Sequence, residues 1–209
     1  MVGPEQPLDR LDQGDGVPAL EELRLHQGTV WRWNRAISDP ADGGYLRIEM
    51  QALPAGPTVT DMLANAAFLL GLTLALAPGA ATTTRRFAFQ QAQHNFYRAG
   101  QFGLGAELAW PLGPSGRPRT LPVPEPGRHL LPLARQGLGD AGVFADEAGQ
   151  LLSVIAARAA SGQTGATWQR LAMATLEPEL GRRRALAAML ERYLELQRTG
   201  EPVHTWPLP

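Results

Sequence analysis

The sequence of 209 residues contains no cysteine and no lysine, so all 19 of its basic side chains are arginines. The absence of cysteine excludes a disulfide framework, a thiol nucleophile and a thiolate metal site. The absence of lysine excludes a Schiff-base lysine and a phosphate-loop lysine. Any permanent cation that binds an anionic ligand in this chain is therefore an arginine.

Charge of either sign is also scarce. Only 19% of the residues are charged and the net charge is -1, whereas about 25% of the residues in a typical soluble protein are charged. This balance lacks the basic footprint of a nucleic-acid-binding protein, so no nucleic-acid partner is expected. The low charge fraction also indicates that part of the surface is covered in the functional state.

Targeting and membrane segments are not expected either. Residues 1–18 are rich in Pro, Gly and Asp, which predicts a flexible leader rather than a signal peptide. The uncharged run Met62–Ala77 has 16 residues, fewer than the roughly 20 that cross a bilayer. We interpret it as a buried core helix of a soluble, cytoplasmic protein that has no membrane partner.

Two strands are predicted in the first part of the chain, at Gly28–Asn34 and Tyr45–Gln51. The turn formers Ser38-Asp39-Pro40 and Asp42-Gly43-Gly44 lie between them. The period of two places Leu46, Ile48 and Met50 on one face of the second strand. Its other, polar face then carries Tyr45, Arg47, Glu49 and Gln51.

The rest of the chain is predicted to be helical. Thr58 is a candidate N-cap with Asp61 three residues later, which starts a helix that ends near Ala77. Further helices are predicted at Thr84–Ala99, Pro132–Gly139, from Asp146 or Glu147 to Ser161-Gly162, and at Glu179–Arg198. Residues 100–128 are predicted to form an ordered loop with a short turn at Ala106–Trp110. The fold class is thus α+β and mostly helical, with two or so antiparallel strands followed by a helical bundle. Because a lone hairpin is marginal in water, the strands either lie on the helices or pair with a sheet from elsewhere.

One constellation of polar residues on the predicted strands has a clear chemical use. Arg32, Asn34 and Arg35 lie at the end of the first strand, and Arg47 and Glu49 lie on the polar face of the second. A carboxylate can hold a hard cation such as Mg²⁺, and guanidinium groups can clamp phosphate or carboxylate oxygens. The alternative is a solvated sheet face with cross-strand ion pairs.

The remaining candidates are weaker. The four histidines lack ligand spacing, and no nucleophile-elbow motif is present. The Gly162–Gly165 segment either offers backbone amides to an anion at a helix start or is a plain turn between two helices. The five tryptophans either stack on a base or fill a core.

Four segments together resemble carboxylate–amine ligases of the glutamate–cysteine ligase type. They are HQGTVWRWNR (His26–Arg35), LRIEMQALPAGPTVTDMLANAAF (Leu46–Phe68), SGQTGATWQ (Ser161–Gln169) and EPVHTWP (Glu201–Pro207). The resemblance runs from about His26 to the C-terminus. It implies that residues 19–209 are the C-terminal part of such a ligase and form part of a glutamine-synthetase-like catalytic fold.

The resemblance also implies a reaction and its cofactors, ATP and Mg²⁺. ATP phosphorylates the side-chain carboxylate of a glutamate-like acid, and an amine then displaces the phosphate to form an amide. In this scheme Glu49 is a metal ligand, and Arg35 and Arg32 contact phosphate or substrate with Asn34 in support. Arg47 is a catalytic arginine or a residue that orients Glu49.

Two departures from the family pattern keep a second interpretation open. Gln51 stands where the family has an arginine, and the family's first part, with further metal-binding glutamates, has no counterpart before His26. We therefore expect the isolated chain to be inactive and its site to be completed by a missing N-terminal half or by another copy. The alternative is a non-catalytic helical binding or regulatory module, or a truncated remnant of such a ligase.

Overall fold

The computed structural model describes residues 34–39, 44–53, 55–111 and 118–209. The chain divides into two compact units, Met1–Ala55 and Gly56–Pro209, and each is described by itself. The predicted leader, Arg32 and most of the predicted strand Gly28–Asn34 lie outside the described residues. Only the backbone of Arg35 is described.

The first unit contains an antiparallel hairpin of β1 (Arg35–Asp39) and β2 (Tyr45–Glu49). The prediction of the second strand is confirmed. The predicted turn at Ser38-Asp39 is wrong, because β1 runs through both residues and Asp39 pairs with Tyr45. The Tyr45 hydroxyl donates a hydrogen bond of 3.1 Å to the Asp39 carboxylate, and this cross-strand contact holds the aspartate in the strand.

Seven helices are described in the second unit. They are α1 (Val59–Leu76), α2 (Ala80–Arg86), α3 (Phe89–Phe102), α4 (Pro124–Asp140), α5 (Ala145–Ser161), α6 (Gly165–Leu180) and α7 (Arg182–Thr199). The predicted start of α1 is confirmed, because the Thr58 hydroxyl accepts a hydrogen bond of 3.1 Å from the amide of Asp61. The prediction of α5 is confirmed to within two residues.

Three predictions about the helices are corrected. The predicted helix Thr84–Ala99 is two helices, because α2 ends at Arg86 and α3 begins at Phe89. Pro132 lies inside α4, which begins eight residues earlier at Pro124. The predicted helix Glu179–Arg198 is divided at Gly181, which has a φ of 71° and caps both α6 and α7.

The predicted loop of residues 100–128 contains a second antiparallel hairpin, formed by β3 (Glu107–Trp110) and β4 (Arg119–Pro122). Asn95 of α3 covers the edge of β3. Its side-chain amide donates a hydrogen bond of 2.8 Å to the carbonyl of Ala109 and accepts one of 2.9 Å from the backbone amide of the same residue. The side chain thus takes the place of a neighbouring strand, which no local sequence pattern indicates.

The first core cluster joins α1, α4 and α5 through Ala67, Ala134, Leu138, Ala148 and Leu152. The helices α1 and α4 approach closely at two glycines. A Cβ atom on Gly71 would collide with the carbonyl of Ala134, and one on Gly137 would collide with the carbonyl of Gly71. Small residues on both helices therefore allow backbone-to-backbone contact at this crossing.

The second core cluster joins α6, α7 and residues Glu201–Pro207, which we call the C-terminal strap. It buries Trp168, Ala172, Leu196, Val203 and Trp206. The rings of Trp168, Tyr193 and Trp206 meet edge to face, with centroids 5.2 to 5.9 Å apart. Trp168 and Trp206 therefore fill a hydrophobic core, which is one of the two roles predicted for the tryptophans.

The expectation that Met62–Ala77 is a buried core helix holds for one face only. Ala64, Ala67 and Gly71 of α1 are buried. The large apolar residues on the rest of its surface, Val59, Met62, Leu63, Leu70 and Leu74, are 41–64% exposed. By length and composition the segment Val59–Thr82 is long and apolar enough to cross a membrane, and 22% of the 18-residue window that meets this test is buried.

Candidate functional site

The polar face predicted for β2 is present in the hairpin. Arg47 donates a hydrogen bond of 2.9 Å to the Tyr45 hydroxyl, and its guanidinium lies 3.6 Å from the Asp39 carboxylate. The side chains of Arg47 and Asp39 are 49% and 35% exposed. Arg47 thus takes part in a solvated cross-strand ion pair, the arrangement that the alternative interpretation of this face describes.

The other end of the same face holds Glu49. Its cross-strand register partner is Arg35, and exposed Asn34 immediately precedes Arg35. The Gln51 amide donates a hydrogen bond of 2.6 Å to Glu49 Oε2. The structure therefore brings Asn34, the Arg35 backbone, Glu49 and Gln51 to one end of the hairpin, and we take this end as the candidate site.

The carboxylates of the hairpin do not form a complete magnesium site. Asp39 and Glu49 lie at opposite ends of the ladder, four register positions apart, which is about 13 Å along a strand. Among the described residues no group of three or more His, Asp or Glu side chains lies close enough to hold a metal ion. Magnesium commonly uses one or two carboxylates together with substrate phosphates. If Mg²⁺ binds at this end of the hairpin, Glu49 would supply one such ligand and the others would come from outside the described residues.

A second polar cluster lies in the helical unit, and we call it the polar junction. Asp61 is fully buried. Its Oδ1 accepts a hydrogen bond of 2.7 Å from Arg158. Its Oδ2 accepts two hydrogen bonds, one of 2.9 Å from the Thr58 hydroxyl and one of 3.0 Å from the amide of Val203. The second terminal nitrogen of Arg158 donates a hydrogen bond of 2.6 Å to the side-chain oxygen of Asn65. The junction therefore links the start of α1, the end of α5 and the C-terminal strap.

The turn between α5 and α6 continues this linkage. Gln163 Nε2 donates hydrogen bonds of 2.8 Å to the carbonyls of Val203 and Trp206. The indole nitrogen of Trp168 donates 3.1 Å to the carbonyl of Pro207. The strap is therefore held by side chains of the turn and of α6 as well as by Asp61.

Sequence reasoning found only part of the junction. The spacing of Thr58 and Asp61 predicted a helix cap, but it gave no sign that Asp61 pairs with an arginine 97 residues away. The available signal was Arg158 itself, which stands in the run VIAARAA at residues 154–160. A lone charge in a predicted amphipathic helix is nevertheless more often solvated than buried.

The Gly162–Gly165 segment forms the turn between two helices that one of its two interpretations described. Gly162 has a φ of 71° and ends α5, and the Thr164 hydroxyl caps α6 by accepting 3.1 Å from the amide of Thr167. A cavity of about 570 Å³ lies beside the turn. Its walls include Thr164, Thr167 and Arg170 of the α6 region and the Gly100–Gly105 segment.

Tyr193 of α7 belongs to the aromatic cluster and is close enough to Asp61 for the charge of that carboxylate to act on its phenol. Burial raises the pKa of its phenol above the ordinary value, and the negative charge of Asp61 raises it further. Both causes disfavour the phenolate.

The protein-family models, the curated proteins and the solved structures that were compared with this chain contain no match to it.

Proposed function

We propose that this chain is the C-terminal part of an ATP-dependent carboxylate–amine ligase of the glutamate–cysteine ligase type. One observation carries the proposal: three of the four segments that resemble this family contact one another. Leu46–Phe68 supplies Asp61, Ser161–Gln169 supplies Gln163 and Trp168, and Glu201–Pro207 supplies the strap that all three hold. These contacts join positions that are 39 to 142 residues apart in the chain.

These contacts support the proposal that the three segments belong to one architecture. The proposed architecture is part of a glutamine-synthetase-like catalytic fold. The mostly helical unit and its two-stranded neighbour fit the second part of such a fold. The β1–β2 hairpin resembles a fragment of a larger sheet, because its apolar face is uncovered: Leu46 and Ile48 are 66% and 57% exposed. Further strands would cover that face or extend its edges.

The proposed reaction has two steps. A carboxylate oxygen of a glutamate-like acid attacks the γ-phosphorus of ATP, and ADP leaves. The nitrogen of an amine substrate then attacks the acyl carbon, phosphate leaves, and the nitrogen loses a proton to form the amide. Each step develops charge on phosphate oxygens, which positioned arginines stabilise.

The proposed functional residues lie on the β1–β2 hairpin or immediately before it in the sequence. Arg35 and Arg32 bind phosphate or substrate oxygens, Asn34 adds a hydrogen bond, and Arg47 is a catalytic arginine two register positions from Glu49 on the same face. ATP and Mg²⁺ are the proposed cofactors, and Glu49 is one metal ligand. A further polypeptide, either an N-terminal half or another copy of the chain, would complete the site in the cytoplasm.

A second candidate function is a non-catalytic binding or regulatory module derived from such a ligase. The contact between Gln51 and Glu49 Oε2, 2.6 Å long, favours it. An amide at position 51 cannot neutralise a phosphate charge, and it occupies one oxygen of the proposed metal ligand. Because Arg47 pairs with Asp39, the face already satisfies part of its own charge.

Trapping with hydroxylamine tests the proposed reaction, because hydroxylamine converts an acyl phosphate into a stable hydroxamate. The full chain is incubated with glutamate, Mg-ATP and hydroxylamine, alone and after co-expression with the product of a neighbouring gene that encodes a sheet-forming half. We expect no hydroxamate from the chain alone and ATP-dependent hydroxamate from the co-expressed pair. Glu49→Ala should lower the rate of the pair at least about 100-fold, the range for removing one transition-state stabiliser.

Glu107→Ala is the matched control, since Glu107 is an exposed carboxylate on the strand β3 and has no proposed role in catalysis. It should leave the rate of the pair within about threefold. Equal losses in the two variants would remove the proposed role of Glu49. Rapid turnover by the isolated chain that disappears in Glu49→Ala would contradict the need for a partner. A stable pair that forms no hydroxamate would favour the regulatory module.

A further inference from the structure

We draw no further inference here: the strongest candidate, the cavity of about 570 Å³ between the Gly100–Gly105 segment and the first turns of α6, rests on a helix N-terminus and an exposed arginine, and no second feature among the described residues points to a ligand.

Discussion

Asp61 in the polar junction and Asp39 in the β1–β2 hairpin both face an arginine, but in very different surroundings. Asp61 is fully buried and accepts hydrogen bonds from Thr58, Arg158 and the amide of Val203. Asp39 is about one third exposed, and its carboxylate lies 3.6 Å from Arg47. A buried carboxylate with three donors cannot turn to a ligand without leaving a charge unpaired, whereas an exposed one can exchange partners at little cost.

This difference separates two roles within one resembling segment. Leu46–Phe68 contains Glu49, which lies at the open end of the hairpin, and Asp61, which lies inside the helical unit. Asp61 is committed to joining α1, α5 and the C-terminal strap. Residues that carry a family resemblance therefore include some that maintain the fold, and the chemistry proposed here belongs to the exposed hairpin.

The largest expected effect comes from breaking the buried pair. Asp61→Ala should lower the free energy of unfolding by about 4 kcal/mol, because it leaves Arg158 buried without its counter-charge. Urea denaturation followed by tryptophan fluorescence measures this loss, since Trp168 and Trp206 lie in the same unit. Asp39→Ala is the control and should cost at most about 1 kcal/mol. Similar losses in both variants would show that the junction is not a structural centre.

The strap provides the next test. Gln163→Ala should cost about 2 kcal/mol, because the carbonyls of Val203 and Trp206 both lose their side-chain donor. Gln169→Ala, an exposed position on α6, should change stability by less than about 0.5 kcal/mol. Hydrogen exchange at the strap amides should rise in the first variant and not in the second. Unchanged exchange in Gln163→Ala would mean that other contacts suffice to hold the strap.

Substitutions on the exposed apolar surface of α1 are expected to change stability less but to change the self-association of the chain. The exposed face of α1 includes Leu70 and Leu74, and we predict that the isolated chain self-associates through exposed apolar surface and binds an apolar surface dye. Leu70→Glu with Leu74→Glu should reduce the mass measured by light scattering and change stability by no more than about 1 kcal/mol, since both sites are exposed. Thr175→Glu, on an exposed site of α6, is the control. A clean monomer of the unmodified chain at high concentration, with no dye binding, would contradict the prediction.

The smallest effect concerns Tyr193 and alkaline pH. Its pKa is raised in the folded state, so between the ordinary phenol pKa of about 10 and the folded value the folded chain binds more protons than the unfolded chain. This contribution to stability is fully present below pH 10 and is lost as the pH rises through the folded pKa. Tyr193→Phe should flatten the fall in the urea midpoint above pH 10. The same slope in both proteins would assign the fall to other groups.

Local patterns predicted the elements that depend on neighbouring residues. The cap of α1, the polar face of β2 and the span of α5 were found because their contacts join residues two to four positions apart. The β3–β4 hairpin was missed because residues 100–128 are rich in Gly and Pro, which favoured a loop. Its edge is covered by Asn95, 14 residues from Ala109. At the candidate site, the pattern predicted which residues share a face, but it did not predict that Gln51 contacts Glu49 or that Arg47 pairs with Asp39.

The sequence by itself determined that this chain is mostly helical, that it lacks lysine and thiol chemistry, and where Thr58 begins a helix. These properties follow from composition and from hydrogen bonds between near neighbours. Only the tertiary structure decided that Asp61 is a buried structural carboxylate, that the C-terminal strap is part of the core, and that one face of α1 is left exposed. The contacts responsible join residues as far as 142 positions apart, and no local periodicity specifies which distant groups meet.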